Sequence, residues 1–157
     1  MSDISMLRHA VATVAYRGSK ALRGVSPEVA SYRASPTTRT PLEILSHIGD
    51  LYEWALSIAN GKQAWPNTKP ASWDDEVRRF FAALEAFDRR LASDEPISAS
   101  PEKLFQGPVA DSLTHIGQIA ALRRMAGSQM RGENYFVAPI STGNVGPDQA
   151  SPVREFD

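Results

Sequence analysis

Asp111 and His115 are the residues of this sequence whose types and spacing most clearly suggest chemistry. They are four positions apart, so on a helix both side chains project to the same side, with Cβ atoms about 5–6 Å apart. Two donors at this spacing are the arrangement by which one helix supplies a pair of metal ligands. An aspartate within an apolar stripe is uncommon unless it is paired or binds a metal. A plain buried hydrogen bond between the two residues explains the spacing equally well.

His47 is the candidate for a third ligand, since it lies at the edge of the apolar arc of another predicted helix, on the side of Leu51 and Trp54. Two histidines and one carboxylate leave coordination positions open for water or substrate, which is typical of catalytic rather than structural sites. An isolated histidine at such an edge is also a common core-boundary residue, and that alternative stays open. Gln118 follows His115 by one turn, and it either orients a ligand through a hydrogen bond or is simply a polar edge residue.

The helices that must position these residues have recognisable starts and ends. The sequence Thr40-Pro41-Leu42-Glu43 predicts a capping box and the start of a helix that ends at Asn60-Gly61. Pro108 as the first helical residue and Gly127 after the last one predict the helix that carries the ligand pair. Asp111 would then lie in its first turn, where unpaired backbone N–H groups stabilise an ionised carboxylate.

Two further helices are predicted, one over residues 4–23 and one that starts at Ser72 and extends to about residue 91. The buried stripe of the latter is expected to consist of Val77, Phe80, Phe81, Leu84, Phe87 and Leu91. Its charged residues are expected on a solvated face, with Asp75 and Arg79 as one of several exposed i,i+4 pairs. Arg123, in the helix of the ligand pair, is likewise expected to face solvent.

These patterns predict an all-α fold, because no β-alternation is long enough to build a sheet. Residues 1–127 are expected to form a four-helix bundle, and residues 128–157 an extended, irregular C-terminal tail. The tail contains apolar side chains over its whole length, among them Phe136, Val153 and Phe156. Burial of one large apolar side chain contributes ~1.5–3 kcal/mol, so the tail is expected to pack on the bundle or on a dimer partner.

Composition argues against several classes of partner. The formal net charge of −1 removes the electrostatic case for binding nucleic acid or an anionic membrane. No stretch is apolar enough to predict a membrane span and the N-terminus has no secretory pattern, so the cytoplasm is the expected compartment. The chain has no cysteine, so a thiolate in its chemistry would have to come from a substrate.

The segments Leu45-Ser46-His47-Ile48 and His115-Ile116-Gly117-Gln118-Ile119 resemble the DinB/YfiT-like superfamily of four-helix-bundle metalloenzymes, over roughly residues 4–127. The resemblance implies an up-down-down-up bundle that is often a homodimer. It also implies that His47 and His115 are ligands of a divalent metal. Asp111 stands where the family has the first histidine of an H-x-x-x-H pair. Zinc and nickel are the metals expected first, and the carboxylate also suits manganese or iron.

The function implied by the resemblance is a metal-dependent enzyme acting on a small molecule, with transfer to a low-molecular-weight thiol favoured over hydrolysis. An alternative is a non-catalytic small-molecule-binding or stress-response module of the same fold with a degenerate site, which is motivated by the aspartate at position 111. A third possibility is a metal-free, hydrogen-bonded cluster with a structural role.

Overall fold

The computed structural model of the protein describes residues 2–157, and most of them are helical. The helices are α1 (Asp3–Leu22), α2 (Pro27–Ala30), α3 (Pro41–Ala59), α4 (Trp73–Leu91), α5 (Pro101–Leu104) and α6 (Ala110–Met125), with a π-helical segment at Phe105–Val109. The C-terminal segment adds one 3₁₀ turn (Tyr135–Val137) and a two-stranded antiparallel pair, β1 (Gly132–Glu133) and β2 (Glu155–Phe156). The all-α class predicted from the sequence is therefore confirmed.

The four long helices enclose one apolar core. Helix α3 packs against α4 and α6, and α1 packs against the same two helices. The largest side chains that are fully buried at the centre are Tyr52, Phe80, Phe87, Leu45, Ile48 and Leu84. The apolar stripe predicted for α4 is confirmed by these contacts, although Val77 is only half-buried. None of the helices in residues 2–157 combines the length and hydropathy that a membrane span requires.

The helix that carries His47 starts at the predicted capping box. The Thr40 side chain accepts a hydrogen bond from the Glu43 N–H at 3.2 Å, and the Glu43 carboxylate accepts one from the Thr40 N–H at 2.9 Å. These bonds satisfy two of the backbone donors that a helix start leaves unpaired. His47 therefore lies in the second turn of a helix whose start is firmly fixed.

The helix that carries Asp111 and His115 starts earlier than the sequence predicts. Ser100 caps it and Pro101 is its first residue, and the helical backbone continues through the π-helical segment into α6. Pro108 lies inside that segment, because the wider turn of a π-helix accommodates a residue that has no N–H to donate. Asp111 lies in the first turn of α6, as predicted, but helical backbone precedes that turn, so it is not at the free start of a helix, where unpaired N–H groups were expected to stabilise it.

Arg123 is buried, with 5% of its surface exposed, and the prediction that it faces solvent was wrong. Its guanidinium donates to the backbone carbonyls of Ala21 at 2.8 Å and Arg23 at 2.9 Å, at the C-terminal end of α1. Carbonyl groups at a helix end have no partner within the helix and carry partial negative charge. A cation from α6 therefore satisfies them and joins the ends of two helices.

Residues 128–157 lie against α1 and are held there by polar contacts as well as by apolar ones. The buried Glu133 carboxylate accepts hydrogen bonds from the Tyr16 hydroxyl at 2.5 Å and from Lys20 Nζ at 3.0 Å. Lys20 also pairs with Glu155 of β2 at 2.8 Å. The apolar side chains expected to anchor this tail are largely exposed: Phe136 is 97% exposed, Val153 65% and Phe156 54%. Val145 of this segment is nevertheless part of the apolar core and Ile140 packs against it, whereas burial of the exposed side chains against a dimer partner stays a prediction.

Candidate metal centre

His47, Asp111 and His115 converge on one point between α3 and α6. Each offers one donor atom, and the three atoms lie within 4.8 Å of one another. Asp111 Oδ2 is 3.6 Å from His47 Nε2 and 3.4 Å from His115 Nε2. The imidazole rings of the two histidines meet edge to face, with centroids 4.7 Å apart. The structure thus brings together the three residues that the sequence pattern predicts, in a cluster that could hold a metal ion.

The distances within the cluster suit a shared cation better than direct hydrogen bonds. Good N–H···O bonds measure about 2.7–3.2 Å, and both His–Asp separations are longer. Ligands placed tetrahedrally at about 2.0–2.2 Å from a zinc ion are about 3.3–3.6 Å from each other. The donor set of two imidazoles and a carboxylate also matches the chemistry of such sites. The residues therefore fit a divalent cation.

His115 is oriented by Gln118. Its Nδ1 atom lies 2.7 Å from Gln118 Oε1, and this oxygen can only accept. In the tautomer in which Nδ1 donates to this oxygen, the lone pair on Nε2 faces Asp111. The contact between these two residues is thus present, and such a contact would hold the tautomer and the ring plane that a ligand needs, while the orienting role itself stays a prediction.

Replacement of Gln118 by leucine is expected to weaken metal binding about tenfold, because loss of such an orienting partner typically costs 10- to 100-fold. The Gln118 side chain is exposed, so the fold should be unaffected. Gln118→Glu, which keeps the acceptor oxygen, is the matched control and should bind at least as tightly as the wild type. Competition with a chromophoric chelator measures both affinities, and equal affinity for wild type and Gln118→Leu would contradict the orienting role.

His47 is partly shielded from solvent by its neighbours. Its ring centroid is 5.5 Å from that of Trp65 and 4.7 Å from that of His115. Burial lowers the pKa of His47, and the nearby His115 and Arg39 lower it further, while Asp111 acts in the opposite direction. The net direction is downward, so the neutral imidazole, the form that binds metals, is favoured at neutral pH.

Arg79 of α4 anchors the backbone next to His47, although the sequence predicts this arginine on the surface. Its guanidinium donates to the Ser46 carbonyl at 2.7 Å and to Asp50 at 3.0 Å, and its Nε donates to Glu76 at 3.0 Å. Asp50 and Glu76 are both buried. The predicted exposed pair of Arg79 with Asp75 is therefore wrong. Arg79 instead reaches across to α3. Its positive charge balances two buried carboxylates, that of Asp50 on α3 and that of Glu76 on its own helix.

A polar strip on α3 was the signal that could have revealed this network. Ser46, Gly49, Asp50 and Glu53 follow one another at helical spacing on one face of an otherwise apolar helix. Gly49 leaves room for the guanidinium in this position, since a Cβ there would lie 2.8 Å from Arg79 Cζ and the Arg79 side chain would have to shift. Arg79 also lies 3.1 Å from Glu53.

The segment after α3 places Trp65 beside His47. The Ala64 N–H donates to the Ser57 hydroxyl at 3.0 Å, and the Thr68 N–H donates to Asp50 at 2.9 Å. These bonds hold the chain along the flank of α3 rather than away from it. The Trp65 ring therefore packs edge-on against Trp54, with a centroid distance of 5.8 Å, and next to the His47 ring.

The cluster is accessible from one side. Asp111 has 46% of its side chain exposed, against 24% for His47 and 14% for His115. The prediction of a buried Asp111 was wrong, because the helix turns this carboxylate toward the rim rather than the core. An open cleft of about 550 Å³ adjoins His115 and is lined by Thr37, Thr38, Arg39, Ile44, Gln118, Ala121 and Leu122. His115 is the cluster residue that lines this cleft, so a small molecule bound there would meet the cluster at His115.

Comparison of the chain with protein-family models, with curated proteins and with solved structures found no match. The resemblance to the DinB/YfiT-like superfamily therefore rests on the two sequence segments and stays a prediction.

Proposed function

We propose that this chain is a divalent-metal-dependent enzyme of the DinB-like type that transfers a group to a low-molecular-weight thiol. The observation that carries the proposal is the spacing of His47, Asp111 and His115, which is too long for hydrogen bonds and close to that of ligands around one cation. Three protein ligands and an accessible side leave room for a substrate atom, as in catalytic rather than structural sites.

The resemblance to the DinB/YfiT-like superfamily is the basis for a thiol substrate, and because the chain has no cysteine, the thiolate would have to come from that substrate. A bound divalent cation would act as a Lewis acid and would lower the pKa of a thiol that reaches it. His47, Asp111 and His115 would hold the cation, and Gln118 would keep His115 in the correct tautomer. The thiol would lose its proton to solvent, its sulfur would form a bond to the second substrate, and the leaving group would depart from the same atom with the electron pair of the broken bond.

The up-down-down-up order belongs to the same proposal, and contacts between the ends of helices support it. Arg79 near the start of α4 contacts Ser46 near the start of α3, and Arg90 near the end of α4 contacts Asn60 at the end of α3, as in a parallel pair. An antiparallel arrangement of α1 and α4 is supported by the ion pair between Arg8 near the start of α1 and Asp88 near the end of α4, at 2.8 Å. Helices α1 and α6 meet at their C-terminal ends through Arg123.

Metal stoichiometry is the direct test of the proposal. Protein purified without a chelator or a metal-affinity column is expected to bind one zinc or nickel ion per chain in equilibrium dialysis, with manganese and iron as further candidates. Nickel should also quench the fluorescence of Trp65, whose ring packs near His47, and Trp65→Phe should remove most of this quenching. Binding of less than one tenth of an ion per chain at micromolar free metal would defeat the proposal.

Activity is tested with cysteine as the thiol and 1-chloro-2,4-dinitrobenzene as the acceptor, where sulfur replaces chloride. We expect a metal-dependent rate that is lost with chelator. The second candidate function is a small-molecule-binding module without chemistry, and the apolar wall formed by Ile44, Ala121 and Leu122 favours it. Full metal occupancy with no turnover of any thiol and acceptor pair would favour this candidate.

A further inference from the structure

The cleft next to His115 has one cationic residue among those that line it, Arg39. This residue lies in the loop before α3, so it faces the cleft from the side opposite to α6. Ile44 and Leu122 contribute apolar surface, whereas Gln118 and His115 border the end of the cleft at the cluster. The cleft therefore joins three environments: a cation, an apolar wall and His115, one of the three candidate metal ligands.

Arg39 is not engaged in holding the fold. Arg33 of the same loop pairs with Glu43 at 2.7 Å and donates to the Thr38 carbonyl, so its guanidinium is occupied. Arg39 is exposed, and within residues 2–157 neither a hydrogen bond nor an ion pair engages its side chain.

Charge balance at the loaded site favours an anionic ligand. A divalent cation held by two neutral imidazoles and the Asp111 carboxylate keeps one net positive charge, and Arg39 adds a second. Two positive charges that border one cleft raise the local concentration of anions. The planar guanidinium is also the group best suited to bind an oxyanion through two parallel hydrogen bonds.

We propose that this cleft binds a small organic anion, with its carboxylate or phosphate group on Arg39, its hydrocarbon part against Ile44 and Leu122, and its other end toward the cluster. The inference rests on the proposed function and assigns a substrate class to the same site. It makes Arg39 a residue that selects anionic over neutral substrates. A volume of about 550 Å³ accommodates a ligand of this kind.

Titration with butyrate, butyramide and inorganic phosphate tests the assignment. Butyrate and butyramide have the same shape and differ in charge. Inorganic phosphate shows whether the site prefers a phosphate group to a carboxylate. In NMR titrations of the zinc-loaded protein, we expect butyrate to bind at least fivefold more tightly than butyramide. Arg39→Gln should weaken butyrate binding about five- to tenfold. Arg78→Gln removes an equal charge from an exposed position on α4 and should leave the affinity unchanged.

The outcomes separate this inference from the proposed function. Zinc affinity is measured independently for wild type and Arg39→Gln and should be equal, since Arg39 is not a ligand. Butyrate affinities that do not differ between the two proteins would overturn the anion site and leave the metal site intact. If the wild type binds no metal, the proposed function fails. The butyrate affinities of the metal-free wild type and Arg39→Gln proteins then show whether Arg39 binds the anion. Phosphate binding that is tighter than butyrate binding, and weaker in Arg39→Gln, would support the site and identify phosphate as its anion.

Discussion

Replacement of His115 by alanine is expected to abolish stabilisation of the protein by metal. A metal ion at a hundred times its Kd adds about 2.7 kcal/mol to the free energy of unfolding, because it binds the folded state. For a chain of this length that raises the melting temperature by about 5–10 °C. Without His115, only His47 and the half-exposed Asp111 remain as ligands. Calorimetric melting with zinc, and again after chelation, should show the shift in the wild type and none in the variant.

The control for this variant is His9→Ala. His9 is the third histidine of the chain and is not part of the cluster, and its Nδ1 lies 3.2 Å from the Thr142 hydroxyl. This protein should keep the full metal-dependent shift. Identical wild-type curves with and without chelator would contradict a metal site. A full shift in His115→Ala would mean that metal binds at another place.

The location of the cluster could be predicted because it depends on local helical geometry. The spacing of Asp111 and His115 determines that they share a face, and the apolar arc of α3 determines which side of that helix His47 borders. Short-range signals such as the capping box at Thr40 are equally local, and the structure confirms it. The degree of exposure of Asp111 could not be predicted in this way, since it depends on how α6 is rotated against its neighbours.

The errors concern residues whose partners lie far away in sequence. Arg123 has the pattern of a surface charge, but the end of α1 is about a hundred residues earlier in the chain and supplies its carbonyl acceptors. Pro108 is a good first residue of a helix, but the helix already starts at Pro101, where the Ser100 side chain accepts from the Lys103 N–H, and the π-helical turn accommodates Pro108 inside it. In both cases a local rule was correct in general, and a tertiary or neighbouring interaction outweighed it.

Replacement of Arg79 by methionine is expected to lower the free energy of unfolding by about 3 kcal/mol, because removal of one partner from a buried ion pair leaves charges uncompensated. The buried carboxylates of Asp50 and Glu76 would both lose their counter-charge. The Ser46 carbonyl would lose its donor as well, so His47 should be held less firmly and zinc affinity should fall several-fold. Urea denaturation followed by circular dichroism measures the first effect, and chelator competition measures the second.

Arg78→Met is the matched control, since it removes the same side chain one position earlier. Arg78 is exposed and pairs only with Asp75 within the described chain, and such surface pairs contribute about 0–1 kcal/mol. Its stability and zinc affinity should therefore stay close to those of the wild type. Equal stability of Arg79→Met and Arg78→Met would contradict the buried network. If Arg79→Met is destabilised but its zinc affinity is unchanged, the buried network is supported, whereas its role in positioning His47 is contradicted.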